Sequence, residues 1–182
     1  MSAVSGRERG SAMLEFLFVG IMLMMLLLII LEMCIALWSY NTLAVAVQDG
    51  ALYASTKGQG CTYTGNSCRV TVSSITQDIL AAGVGINPSQ LNLTFHSSAS
   101  AYYADINCTA SNCLSNATVW PPAKVTSGAT VIYGDMPSIS YIEITATYPS
   151  PVPIIGLFVP TQMLPSVGTL QFSAIACEVI QF

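Results

Sequence analysis

An apolar run near the N-terminus constrains this 182-residue chain more than any other feature of its sequence. Residues 16–31 contain only apolar side chains and Gly20, and the apolar character continues past Glu32 to Trp38. As an α-helix, residues 16–38 would extend about 35 Å, which is enough to cross a hydrocarbon core of about 30 Å. The apolar stretch of a cleaved signal peptide is only about 7–15 residues long. The sequence therefore predicts a membrane-spanning helix over residues 16–38.

Charged residues mark the two ends of this span. Arg7 and Arg9 precede the apolar run, and positive residues next to a span remain in the cytoplasm. We therefore expect a single-pass protein with a cytoplasmic N-terminus and an extracytoplasmic remainder. We interpret Glu32 as an interfacial charge at the outer boundary of the membrane.

Composition excludes two further classes of protein. Only 8% of the residues are charged, 53% are hydrophobic, and the formal net charge is -4. Nucleic-acid binding by phosphate attraction requires a basic face, so we expect no nucleic-acid partner. Disordered chains have low hydrophobicity, so a disordered tail is excluded as well.

Glu15 is a second carboxylate, at the inner edge of the span. It precedes Glu32 by 17 positions, or about 26 Å of helix. An ionised side chain at the bilayer centre costs about 2.5–3.5 kcal/mol, and less near the edge. Cleavage after Gly10 would create an α-amino group at Ser11. We hypothesise that this cation pairs with Glu15 of a neighbouring subunit.

The residues around this carboxylate carry a family resemblance. The segment from Gly10 to Phe16 resembles a type IV prepilin cleavage site: a hydrophilic leader that ends in glycine, Glu five residues after the cut, then a long apolar helix. More narrowly, it resembles the TadE-like family of tight-adherence (Tad) pilus minor pilins and pseudopilins. Glu32, the Tyr-Asn-Thr sequence at 40–42 and the small-residue segment 44–55 continue the resemblance. It covers about the first 57 residues.

The resemblance implies a function. It implies a non-enzymatic subunit that prepilin peptidase cleaves between Gly10 and Ser11 and that takes part in pilus assembly, with Glu15 and Phe16 as assembly residues. Its implied partners are other pilin or pseudopilin subunits, prepilin peptidase, the inner-membrane assembly platform and membrane lipid. The implied location is the inner membrane, and the pilus after assembly. The alternative is an uncleaved, single-span anchor for a binding domain of the cell envelope.

The predicted fold class is α+β, with a pilin-like helical spine and a small antiparallel β-sheet head that contains one short helix. We expect a leader over residues 1–10, a helix over 11–57 and a head over 58–182. Apolar residues at three- and four-residue intervals extend the helical pattern past Trp38; a break between two helices is the alternative.

Patterns within the head predict its elements. Alternation predicts strands over residues 69–73, 91–95, 140–148 and 168–180. A capping box at Ser74–Gln77 predicts a helix that ends at Gly83. The irregular stretch 96–137 is predicted to be a loop-rich insertion. The proline-broken segment 149–160 is expected to fill the core or to approach the membrane surface.

Five of the six cysteines lie in the head. In an exported domain, paired cysteines indicate disulfides; the candidates are Cys61, Cys68, Cys108 and Cys113. Four cysteines allow three pairings, of which we favour the two local loops. The remaining two, Cys34 and Cys177, are expected to be buried free thiols.

Residues for catalysis or metal binding are not apparent. His96 is the only histidine, so it lacks a second histidine for a metal site, and we expect it on the surface. The acidic residues of the head are scattered, and no phosphate-binding loop or nucleophile elbow occurs. We therefore expect no metal, no cofactor and no enzymatic activity.

Overall fold

The computed structural model describes residues 5–57, 62–63, 66–98, 104–121, 125–127, 130–132, 140–151 and 169–181. The chain divides into two units. The first contains the N-terminal residues up to Leu37, together with 152–168, and the second contains residues 38–151 and 169–182. From here on, the head means this second unit, which adds residues 38–57 to the predicted head and leaves out residues 152–168.

Three helices and eight strands form the described parts of the chain. They are, in order, α1 (Ser5–Ser55), β1 (Thr62–Tyr63), β2 (Asn66–Ser67), α2 (Val72–Ala82), β3 (Asn92–Ser97), β4 (Ile106–Thr109), α3 (Ala110–Cys113), β5 (Val125–Ser127), β6 (Thr130–Ile132), β7 (Tyr141–Pro151) and β8 (Thr169–Val179). The α+β prediction, with a long N-terminal helix, a small antiparallel sheet and a short helix, is confirmed.

The first helix is continuous, so the alternative of two helices separated by a break is wrong. It begins at Ser5, six residues before the start predicted from the cleavage site, and ends at Ser55 rather than at residue 57. Lys57 lies beyond its end, where its ammonium group is 3.9 Å from the centre of the Tyr53 ring. The helical assignment therefore crosses the Gly10–Ser11 peptide bond.

Four antiparallel strands form the main sheet, in the order β4-β3-β7-β8. The pairs β1–β2 and β5–β6 form two further, two-stranded sheets. Within the main sheet, Phe95 lies opposite Ile144, and Ile144 lies opposite Ala176. This register aligns the apolar residues of three strands on one face, which agrees with the alternation predicted for β7 and β8.

The core of the head combines this sheet face with α2 and the C-terminal part of α1. Fully buried side chains come from each of these elements: Leu43, Val47, Ala51, Ile75, Ile79, Phe95, Ile142 and Ile144. Small residues in α1 allow close approach. A β-carbon added at Gly50 would collide with Cγ1 of Ile79, so the α1–α2 contact requires glycine at this position.

The start of α2 differs from the prediction. Residues 69–70 are not a strand, and Thr71 rather than Ser74 caps the helix. The Ser74 backbone N–H donates to the Thr71 hydroxyl at 3.2 Å, and the Thr71 N–H donates to the Ser74 hydroxyl at 3.0 Å. This reciprocal pair satisfies two backbone donors, which moves the helix start to Val72. The predicted end at Gly83 is confirmed.

Part of the segment predicted to be a loop-rich insertion belongs to the fold. Residues 106–109 form β4, which pairs with β3 over its whole length. Ala110, Cys113 and Trp120 are buried in the core, and the Trp120 ring packs edge-to-face on Phe95 at 5.3 Å. The prediction for residues 96–137 is therefore wrong for this part. Residues 106–109 are too short and polar to be recognised as a strand, but their backbone hydrogen bonds to β3 make them one.

One of the two predicted local disulfides, between Cys108 and Cys113, is present among the described residues. Cys108 and Cys113 form a disulfide with a Cα–Cα distance of 5.6 Å, and Cys68 is also disulfide-bonded. Cys61 and segment 152–168, which includes most of the predicted proline-broken loop, lie outside the described residues. Cys34 and Cys177 are free, as predicted, but both are exposed rather than buried.

The Cys108–Cys113 disulfide joins the edge strand β4 to α3. The chain-entropy account of so short a loop gives a stabilisation of about 2 kcal/mol. We expect a Cys108→Ala, Cys113→Ala chain to lose about that much unfolding free energy, measured by urea unfolding of the head. An unfolding midpoint equal to that of the parent chain would contradict this prediction.

Candidate membrane-spanning and assembly segment

The N-terminal part of α1 is covered with exposed apolar side chains. Between Met13 and Leu37 nearly every large apolar residue is more than half exposed, and Phe16 and Met22 reach 80% and 78%. A helix that packs into a globular core exposes only its polar face. This segment is apolar on all sides, so its surface matches a lipid environment rather than a protein core.

Length and hydropathy agree with this assignment. Residues 13–55 lie in a helix whose most apolar window has a mean hydropathy of 2.9, and none of that window is buried. It is the one helix among the described residues that is long and apolar enough to cross a membrane. The N-terminal helix therefore fits a membrane-anchored protein.

The two carboxylates of this segment differ in their surroundings. Glu15 is exposed, and Glu32 is half-buried. The sequence contains no Lys or Arg between Arg9 and Lys57. Glu15 thus has no basic side chain three or four positions away, where helical ion pairs form. Helical neighbours three or four positions away therefore supply no cation for this carboxylate.

The proposed processing position lies within the helical backbone. Gly10 and Ser11 both belong to α1, and a helical peptide bond must unwind locally before a protease can bind it in an extended form. Glycine lowers helix stability by about 1 kcal/mol relative to alanine. Gly10 therefore weakens the helix next to the bond between residues 10 and 11.

The structure brings together one pair of side chains that the sequence left apart. His96 Nδ1 and Asp105 Oδ1 are 2.9 Å apart on the outer face of the sheet. Their contact follows from the β3–β4 register, since Phe95 lies opposite Ile106. His96 is partly exposed, in agreement with the expectation that it lies on the surface. No metal-binding cluster of three side chains occurs in the described part of the chain.

A cleft of about 220 Å³ lies next to this pair. Its lining includes Phe95, Asp105, Asn116 and Trp120. Asp105 is the one charged side chain of the lining, which also includes the hydroxyl groups of Ser97 and Thr118. The exposed apolar helix remains the functional candidate.

Comparison with known proteins agrees with the resemblance found in the N-terminal sequence. The family model described as TadE-like protein matches residues 10–52. No curated protein and no solved structure gives a match. The matched segment begins at Gly10 and runs through the exposed apolar part of α1 into its buried C-terminal part. The resemblance to the TadE-like family is thereby confirmed for this segment.

This match is confined to the N-terminal part of the chain and indicates which class of protein that part resembles. The TadE-like family suggests a pilin-like protein associated with the Tad pilus, and such pilin-like proteins are generally not enzymes. In general terms, this family implies interaction with other pilus components.

Proposed function

We propose that this chain is a minor pilin or pseudopilin that takes part in the assembly of a Tad-type adhesion pilus. It is made as a precursor with residues 1–10 as its leader, and prepilin peptidase cuts it between Gly10 and Ser11. The proposal rests on one observation: the TadE-like match starts at Gly10, and an exposed, largely apolar helical segment follows from Met13.

The location follows from the same segment. Arg7 and Arg9 hold the N-terminus in the cytoplasm, residues 16–38 cross the inner membrane, and the head is extracytoplasmic. Glu32 lies at the outer boundary of the membrane. A disulfide in the head supports this orientation, because disulfides persist in oxidising compartments and are rare in the cytosol.

Cleavage gives Glu15 a partner. The new α-amino group at Ser11 is the nearest cation that the processed chain can offer, since the sequence from Gly10 to Thr56 contains no basic side chain. In an assembly of parallel helices, the terminus of one subunit reaches the carboxylate of the next. Pairing in a low-dielectric environment is strong, so each added subunit neutralises a charge that is otherwise unfavourable in lipid.

The N-terminus of the mature protein tests this proposal. We expect the chain extracted from membranes of cells with an active prepilin peptidase to begin at Ser11, as read by N-terminal sequencing and intact mass. A Gly10→Val chain should keep residues 1–10, because a branched side chain replaces the glycine next to the cut. A Gly20→Val chain receives the same substitution away from the site and should be cleaved normally.

Two outcomes would count against processing. The first is an intact Met1 in cells that cleave another prepilin, and the second is equal cleavage of the Gly10→Val and parent chains. Either result would favour the uncleaved, single-span anchor with an outer binding domain.

A further inference from the structure

The loop between α2 and β3 contacts the residue of the head at which the predicted span ends. A β-carbon added at Gly83 would lie 3.6 Å from Cβ of Ala46. One added at Gly85 would lie 3.3 Å from the ring of Trp38, the last residue of the predicted span 16–38. Contacts of later residues with earlier positions of α1 show that α2 runs antiparallel to α1. The loop after α2 therefore points toward the predicted span.

This loop exposes apolar surface beside Trp38. Val84 is 65% exposed and Trp38 is 54% exposed, while Ile86 is partly buried against the core. Gly85 between them has a φ of 86°, which glycine adopts readily, so the backbone can turn close to the indole ring. We call Trp38 and Val84–Ile86 the boundary patch.

Tyrosine side chains lie at the same end of the head. Tyr40 is exposed and packs edge-to-face on Phe172, with 6.1 Å between ring centres. Tyr148 lies opposite Phe172, and its hydroxyl accepts a hydrogen bond from the Asn87 N–H at 3.4 Å. Tryptophan and tyrosine are enriched where a membrane meets water, because their rings are apolar and carry one polar group.

The segments that meet at this end carry no charge. Residues 33–48, 79–104 and 144–177 contain no Asp, Glu, Lys or Arg. A charged side chain would oppose contact with the bilayer interior, and this surface has no such penalty. Basic residues attract anionic headgroups, and these stretches have none. The surface therefore suits lipid through apolar and aromatic contact, without electrostatic attraction.

We propose that the boundary patch lies in the headgroup layer of the membrane, beside the point where α1 leaves the bilayer. Its occupant is lipid of the membrane that α1 crosses, since Trp38 belongs both to the predicted span and to the patch. The proposal rests on the membrane location proposed above and is independent of cleavage at Gly10. The head thus has a second contact with the membrane, which fixes its orientation there.

Lipid quenching of a fluorescent label on the full-length chain tests this contact. Cys34→Ser and Cys177→Ser remove the two free thiols among the described residues. In this background, Val84→Cys carries an NBD label, and the chain is reconstituted at low density into phosphatidylcholine vesicles. One set of vesicles contains a lipid with a nitroxide on its headgroup. Val84 is largely exposed, so the head should fold normally with the label.

Val179→Cys is the matched control. It replaces the same residue type, and Val179 is 50% exposed. Two residues later, the Gln181 N–H donates to the Ser55 carbonyl. Ser55 follows Trp38 by 17 positions, or about 26 Å of helix. Val179 therefore lies about 20 Å farther along α1 from the span than the boundary patch does.

The label at position 84 should be quenched by the headgroup nitroxide at least about twofold more than the label at 179, because interfacial side chains lie within about 5–10 Å of the headgroup boundary. Iodide in the aqueous phase should give the reverse order. Adding phosphatidylglycerol should leave the quenching unchanged, because the boundary patch has no basic residue.

Two results would overturn the proposal. One is equal quenching by the headgroup nitroxide at positions 84 and 179. The other is protection of position 84 from iodide without lipid quenching, which would show that protein, such as a second copy, covers it. A Leu26→Cys label with an acyl-chain nitroxide checks the span separately. Quenching at 26 but not at 84 would overturn the boundary patch alone, and quenching at neither would overturn the membrane location as well.

Discussion

A Glu15→Ala chain is expected to insert into the membrane and to be cleaved after Gly10, but not to enter pili. Removing the carboxylate favours insertion, because an ionised side chain inside a bilayer costs up to about 2.5–3.5 kcal/mol. The same change removes the proposed partner of the Ser11 amine, so that cation is left unpaired in the assembly. We expect the amount of this subunit in sheared pili to fall at least about tenfold, which corresponds to 1.4 kcal/mol.

This effect is measured by comparing variants of Glu15 with a variant of Glu32, the other carboxylate of the apolar segment. Immunoblots of the membrane and sheared-pilus fractions give the assembled share of the Glu15→Ala, Glu15→Gln and Glu32→Ala chains. Glu15→Gln should behave as Glu15→Ala does, because it keeps the size of the side chain and removes its charge. Glu32→Ala should assemble, since Glu32 is interpreted as a boundary charge. Normal incorporation of Glu15→Gln would exclude the pairing of Glu15 with a cationic terminus.

A Gly50→Val chain is expected to have a markedly less stable head. Gly50 is buried, and even a β-carbon there would collide with Cγ1 of Ile79, which is itself fully buried. Overpacking of this kind costs about 1–3 kcal/mol, and occasionally more. Valine adds two further carbons, so we expect a loss of about 3 kcal/mol in the unfolding free energy. Denaturant unfolding followed by tryptophan fluorescence measures it, since Trp120 is buried against Phe95.

Two further chains isolate the cause of this loss. Gly20→Val makes the same change in the same helix where no atom lies within 4 Å of the added β-carbon, so the head should unfold as in the parent chain. Ile79→Ala removes the atoms that collide, and combined with Gly50→Val it should destabilise by less than the sum of the two single changes. Strict additivity would show that Gly50 and Ile79 do not compete for space.

The features that the sequence predicted well are those set by long, regular patterns. The apolar run of residues 16–38 predicts a long apolar helix from length and hydropathy alone, and α1 contains it. The strands β7 and β8 alternate over many residues, so their buried faces could be read from period two. The local Cys108–Cys113 pairing was expected because a short connection keeps the two cysteines close.

The features that the sequence missed depend on pairing between distant segments or on competing caps. Ile106–Thr109 is short and polar, and it is a strand because β3 supplies its hydrogen-bond partners. The contact between His96 and Asp105 requires the same register, which no local pattern contains. At the start of α2, Thr71 and Ser74 form a capping box earlier than Ser74–Gln77, and the branched residues around them resemble a strand.

The last described residues return to the end of the first helix. The Gln181 N–H donates to the Ser55 carbonyl at 2.9 Å, and Ile180 is buried in the core. The first and last segments of the head therefore complete one another, and every intervening segment emerges from the ribosome between them. The sheet of the head is complete only when β8, the last of the described elements, has joined it. The core-facing side of α1 therefore stays uncovered until every described element of the head has been synthesised.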